Sequence, residues 1–217
     1  MARGTNFGGV HSFYDLHLIQ QKVEVDPAEP KLNMIEIPGA DGAVDMTEQP
    51  AGRVTYKTRR VLWTFALYPG EDWDAKHRQV SNALNGRRCD ITLDTDPAYY
   101  YQGRLIVSKH KVDGLLRQIV VEAVCQPYKL RQLPTSVVQG MATTYKTMRL
   151  LNERKPVVPT ITLTAPATIR WNGGTISLGI GEHKVLDIVL QEGENLLEVL
   201  APGGSGRCTI TYQEGSL

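Results

Sequence analysis

The sequence is short of the residues on which most enzymatic and membrane functions depend. It has three cysteines in 217 residues, Cys89, Cys125 and Cys208. They are far apart, odd in number and outside any metal-ligand spacing, so reduced, mostly buried thiols are expected and no disulfide framework. No apolar run approaches the ~20 residues that span a bilayer. The opening residues contain no apolar core of signal-peptide length. These absences predict a chain made in a cytoplasm, with no membrane contact. Charge of one sign is lacking too: 24 Lys and Arg face 23 Asp and Glu, for a net charge of +1. Such a balance offers no general attraction to nucleic acid or to an anionic surface.

The usual catalytic patterns are also missing. No Gly-x-Ser-x-Gly elbow exists, because Ser177 follows Thr175 and Ser205 precedes Arg207 at the positions where glycine is required. Gly203-Gly204-Ser205-Gly206 lacks the lysine of a phosphate loop and lies between two strand-like segments, which fits a hairpin tip. Asp94-Thr95-Asp96 has paired carboxylates that suit a divalent cation, but the following Pro97 favours a turn in which they bond to their own backbone. His11, His17, His77, His110 and His183 show no helical pairing and share no short motif with cysteine. The expectation is therefore no enzyme, no cofactor and no metal.

What is present is period-two patterning. The segments 54–58, 61–67, 91–93, 101–107 and 115–124 read as strands, with a hairpin at Asp113-Gly114. One segment breaks the pattern. From Glu71 to Asn85, the residues Trp73, His77, Val80 and Leu84 share one helical face, Asp72 is placed to cap the start, and Gly86 stops the end. Residues 126–139 are irregular and marked by Pro127 and Pro134, which suggests a linker. Beyond it, short strands are expected at 160–164, 167–171, 175–178, 184–190, 195–200 and 207–212, a β-sandwich spacing. The predicted class is mainly β. An N-terminal β-sandwich-like domain with one helix spans 1–130, and a second β-sandwich spans 131–217.

The most particular stretch runs from Ile37 to Glu48. Pro38-Gly39 is a turn pair, and Asp41-Gly42 resembles the signal of a two-residue hairpin. Val44 and Met46 lead out of it. Nothing in this stretch does chemistry, so it reads as a shaped surface. Pro38, Gly39, Asp41, Gly42, Val44 and Met46 are the candidate oligomer-interface residues.

Three blocks resemble the distal tail protein (Dit) family of long-tailed siphophages. The first is Ile37-Pro38-Gly39-Ala40-Asp41-Gly42 with Asp45, Thr47 and Glu48. The second is Leu84-Asn85-Gly86-Arg87, then 91–97, Tyr99-Tyr100 and Gly103-Arg104. The third is Cys125-Gln126-Pro127-Tyr128-Lys129. Phe7 to Ser12, Trp171-Asn172-Gly173, Gly193-Glu194-Asn195 and Thr209 to Leu217 are similar to the same family, so the resemblance spans nearly the whole chain. It implies a virion structural protein whose N-terminal β domain forms a hexameric ring at the tail tip, with a galectin-like C-terminal sandwich outside the ring. The implied partners are the tail tube protein, a tail-associated lysin or spike of the baseplate and, in many phages, receptor-binding proteins. Assembly would take place in the host cytoplasm. The alternative is a carbohydrate-binding module that uses the C-terminal sandwich, with Trp171 as its stacking surface; Tyr99-Tyr100-Tyr101, in the N-terminal domain, fit hairpin packing, with Tyr99 and Tyr101 on one strand face and Tyr100 on the other.

Overall fold

The computed structural model describes residues 4–108 and 118–217. The hairpin expected at Asp113-Gly114 and the residues 109–112 and 115–117 lie outside the described residues. The chain divides into two compact units, Met1–Lys129 and Leu130–Leu217.

The first unit contains β1 (Thr5–Phe7), β2 (Val10–His11), β3 (Ile19–Val25), β4 (Met34–Glu36), β5 (Ala43–Asp45), β6 (Arg59–Ala66), α1 (Trp73–Leu84), β7 (Arg88–Leu93), β8 (Tyr99–Ser108) and β9 (Gln118–Cys125). Seven of these strands form one sheet in the order β2-β1-β7-β8-β9-β6-β3. Its ladders are antiparallel. Alternation decides which face is buried. Along β6, Val61, Trp63 and Phe65 point into the core, and Arg60, Leu62 and Thr64 take the other face. Phe7 meets Trp63 edge to face at 5.1 Å between ring centroids, and both are fully buried.

The helix covers the core side, where Val80 and Leu84 join the same cluster as Leu105 and Ile91. Asp72 caps it by accepting from the Asp74 amide at 3.1 Å. The Leu84-Asn85-Gly86-Arg87 block fastens its other end to β8. The Gly86 amide donates to Leu105 O at 2.8 Å, and Asn85 Oδ1 accepts from the Val107 amide at 3.0 Å. Trp73 Nε1 donates to Gln118 O at 3.1 Å, which ties the helix start to β9.

The second unit is built from β10 (Lys129–Arg131), β11 (Thr135–Met141), β12 (Lys146–Asn152), β13 (Thr160–Leu163), β14 (Ala167–Trp171), β15 (Gly174–Leu178), β16 (Gly181–His183), β17 (Gly193–Leu200), β18 (Gly206–Tyr212) and β19 (Gly215–Ser216). Two four-stranded sheets run β11-β18-β13-β16 and β12-β17-β14-β15. Met148, Ile169 and Leu197 from one sheet meet Ile161, Leu163 and Ile210 from the other in a single buried cluster. That arrangement is a β-sandwich. Asn172-Gly173 joins β14 to β15 as a two-residue loop, with φ of 45° and 81°. Positive φ at both positions is the type I′ geometry that Asn-Gly tolerates. Asn195 explains its own block: its Oδ1 accepts from the Gln191 amide at 2.9 Å, and its Nδ2 donates to Gln191 O at 2.8 Å, closing the loop before β17.

Several strand expectations change. Residues 54–58 form no regular strand and meet their neighbour through the single bridge Pro30↔Tyr56. That bridge is held by the residues on either side of Pro30, Lys57 N donating to Glu29 O and Lys31 N to Thr55 O, and no second bridge extends it into a strand. The stretch 126–139 is largely ordered: Thr135 to Met141 pairs along its full length with β18. Residues 184–190 form a turn, with the Ile188 amide donating to Val185 O at 3.1 Å, and only Leu190 makes a bridge. The strands Ile19–Val25 and Lys146–Asn152 have no counterpart among the expected ones. Residues 130–217 expressed alone are expected to unfold in one cooperative transition, because their core draws on both sheets of that unit. A featureless melt with poorly dispersed amide resonances would contradict this.

Candidate functional site

Between β3 and β6 the chain makes a long excursion instead of a tight turn. The strand pair continues past the sheet through hydrogen bonds from Asp26 N to Arg60 O (2.9 Å), Lys57 N to Glu29 O (2.8 Å) and Lys31 N to Thr55 O (2.8 Å). It ends in the hairpin of β4 and β5, which pair only with each other. Every residue from 29 to 45 is exposed. The result is an arm without a covering surface. Ile35 lies opposite Val44 across the ladder, flanked by exposed Leu32, Met34 and Ile37. So many apolar side chains together on one exposed hairpin make it the candidate contact surface.

The candidate residues fall along this arm. Pro38 and Gly39 make its first tip turn: the Ala40 amide donates to Ile37 O at 3.1 Å, and Gly39 has φ of 85°. Proline followed by a residue of positive φ is a type II turn, which fixes the tip. Asp41 and Gly42 complete a six-residue loop, 37–42, so the expected two-residue hairpin is replaced by a wider one. The turn set by Pro38-Gly39 consumes residues that a two-residue loop would leave in the strands. Val44 is exposed, whereas Met46 is half-buried at the arm's base and donates its amide to Asn33 O at 2.8 Å.

Asp45 and Thr47 brace that base. The Thr47 amide donates to Asp45 Oδ1 at 2.9 Å, and the Asn33 amide donates to Thr47 Oγ1 at 3.1 Å. Hydrogen bonding from the Thr47 hydroxyl and then its amide holds the Asp45 carboxyl below its ordinary range. A depressed folded value means the brace is present above the ordinary carboxylate range and is lost as the pH falls through the folded value. At a fixed pH, Asp45→Ala is therefore expected to lower the protection of the Asn33 and Thr47 amides against exchange while protection in β6 and β9 is unchanged. Equal rates in the variant would contradict the brace. Beside it lies an open groove of about 510 Å³, lined by Pro30, Leu32, Thr47, Glu48, Val54 and Tyr56 among others.

A second surface lies on the sheet face turned away from the core. Arg88 and Arg104 sit directly opposite one another on β7 and β8. Ile106 and Val124 beside them are 43% and 42% exposed. The residues come from separate strands and are joined only by the fold, so no spacing in the chain announces them.

Nothing among the described residues assembles into chemistry. No cluster of three or more His, Cys, Asp or Glu residues suited to a metal is found among them. Burial pushes the Cys125 thiol up to about 12 and the Cys208 thiol up to about 11, so neither supplies a thiolate nucleophile. Asp94 and Asp96 are committed apart: Asp94 Oδ2 accepts from the Gly4 amide at 2.8 Å, and Asp96 Oδ2 pairs with Lys129 Nζ at 2.9 Å. Trp171 is only 8% exposed and belongs to the sandwich core. Tyr101 is buried, and Lys129 Nζ lies 4.5 Å from the centroid of the Tyr99 ring. Trp171 and Tyr101 are thereby closed to a stacking ligand, while Tyr99 and Tyr100 are half-buried. No helix among the described residues is long and apolar enough to cross a membrane.

No protein-family model matches the sequence, and no curated protein matches it. Among solved structures, the chain is similar to the crystal structure of the SPP1 Dit protein (gp 19.1), described as a paradigm of the hub adsorption apparatus of phages that infect Gram-positive bacteria. The TM-score is 0.66 at 15% sequence identity, and the similarity covers 100% of both chains. At that identity the likeness is one of fold.

Proposed function

We propose that this chain is a structural, non-enzymatic hub at the distal end of a long-tailed phage or phage-like tail. Copies of the first unit close into a hexameric ring. The ring joins the tail tube to the baseplate or tail-tip proteins, a tail-associated lysin or spike among them, and to host-adhesion proteins. The second unit is a galectin-like sandwich carried by that ring. The observation that supports this most is the full-length likeness in fold to a hub protein of a phage adsorption apparatus. The exposed arm supports it independently. A ring requires one surface of a protomer to meet a different surface of the next, and an uncovered apolar hairpin is half of such a contact. Antibody-gold labelling of intact particles tests the location. Label confined to the far end of the tail is expected, and label along the tube or on the head would overturn the reading.

A further inference from the structure

We infer that the open sheet face around Arg88 and Arg104 is the seat for the arm tip of a neighbouring copy of this chain. The inference rests on the ring assembly proposed above and names the surface that receives the arm.

The first observation is charge. From Leu32 to Gly52 the arm carries Glu36, Asp41, Asp45 and Glu48 and no lysine or arginine. Asp45 is engaged with Thr47, which leaves Glu36 and Asp41 at the tip, both exposed and without an ion pair among the described residues. The groove on the sheet face is the complement. It encloses about 340 Å³ between Arg88, Arg104, Gln102, Gln126, Ile106 and Val124, with no carboxylate in its lining.

The second observation is the state of the two arginines. Like charges directly opposite each other on neighbouring strands destabilise a sheet. Arg104 is partly satisfied, donating from Nη1 to Gly86 O at 2.6 Å. The Arg88 side chain makes no hydrogen bond or ion pair with any described residue, its backbone alone pairing in the ladder. An outside carboxylate relieves both. Asp90 and Glu122 share this face, but neither lines the groove, and Asp90 accepts from Gln102 Nε2 at 3.0 Å.

The third observation is an apolar match. Ile35 and Val44 form an exposed apolar pair behind the acidic tip, and Ile106 and Val124 form one beside the arginines. The arm also has reach. The twelve residues from Asp26 to Ile37 would cover on the order of 40 Å at the usual strand rise if fully extended. Arm and groove are different surfaces of one chain, so their union is head-to-tail, the type of contact that closes rings.

The test is a charge swap on the full-length chain, read by sedimentation across a concentration series with circular dichroism beside it. Glu36→Lys with Asp41→Lys, and separately Arg88→Glu, are each expected to weaken association at least 10-fold with the fold unchanged. Combining all three is expected to recover most of that loss, and added salt should weaken the wild-type contact. If the lysine variants weaken association and Arg88→Glu does not restore it, the seat lies elsewhere. If the charge variants leave association untouched while Ile35→Asp with Val44→Asp abolishes it, the arm still makes the ring but docks on another surface, such as the edge strand β3. If neither set matters, the arm itself is not the contact. Should Arg88→Glu fail to fold, Arg88→Ala takes its place and must remove the salt dependence; unchanged salt dependence would overturn the inference.

Discussion

Ile35→Asp combined with Val44→Asp is expected to dissociate the proposed ring and leave the protomer folded. The two residues face one another on a hairpin that pairs with nothing else in the chain, and both are exposed. Their change to aspartate therefore removes no contact within the protomer's core. In an interface the same change places two unpaired carboxylates where apolar side chains were buried. Burying even one such group without a partner costs several kcal/mol, so each contact should weaken by about 100-fold or more. Sedimentation should show the assembly lost at concentrations that keep the wild type associated, with far-ultraviolet dichroism and melting unchanged. Replacing Pro38-Gly39 by flexible residues should act in the same direction and less strongly, because it loosens the tip without adding charge. An unchanged assembly would remove the arm from the interface.

Trp63→Ala is expected to produce the largest loss of stability. Trp63 is fully buried on β6, packs edge to face against Phe7 and pairs in register with Val121 and Val23 of the flanking strands. Truncating a buried aromatic to alanine costs about 3–5 kcal/mol, a large share of the ~5–15 kcal/mol that holds a typical domain. The indole carries a second, opposing contribution. Its Nε1 is buried with no partner among the described residues, and an unmet donor costs about 1–3 kcal/mol. Trp63→Phe removes that donor and keeps an edge-to-face ring, so it should cost less than half as much as alanine. Urea unfolding of the variants should show the first unit's transition moved and the second unit's unmoved. A loss under about 1 kcal/mol for alanine would contradict the core placement.

The parts of the fold that were legible in the sequence are those in which one local rule acts alone. The helix is one: the spacing of Trp73, Val80 and Leu84 and the cap at Asp72 each point to the same segment, and the structure places it at Trp73–Leu84. The Asn172-Gly173 turn is another. Legibility fails where tertiary pairing decides. Thr135–Met141 follows a proline and carries Gly140, so it reads as linker, yet its pairing with β18 makes it a full strand. Val54 to Thr58 reads as strand, but only Tyr56 finds a bridge partner across the chain, at Pro30. The candidate site divides in the same way. The turn chemistry at Pro38-Gly39 and the apolar flanks marked the arm, because both are local. Arg88, Arg104, Ile106 and Val124 gave no signal, since they come from three strands and meet only through sheet order and register.

The central claim is that this chain closes on itself into a ring through unlike surfaces. Native mass spectrometry of the purified full-length chain tests it most directly. The expected species is six copies of the 24.1 kDa chain, appearing without a dominant dimer because head-to-tail contacts stop only on closure. A folded protein that stays monomeric across the accessible concentration range, or that stops at a two-fold dimer, would contradict it.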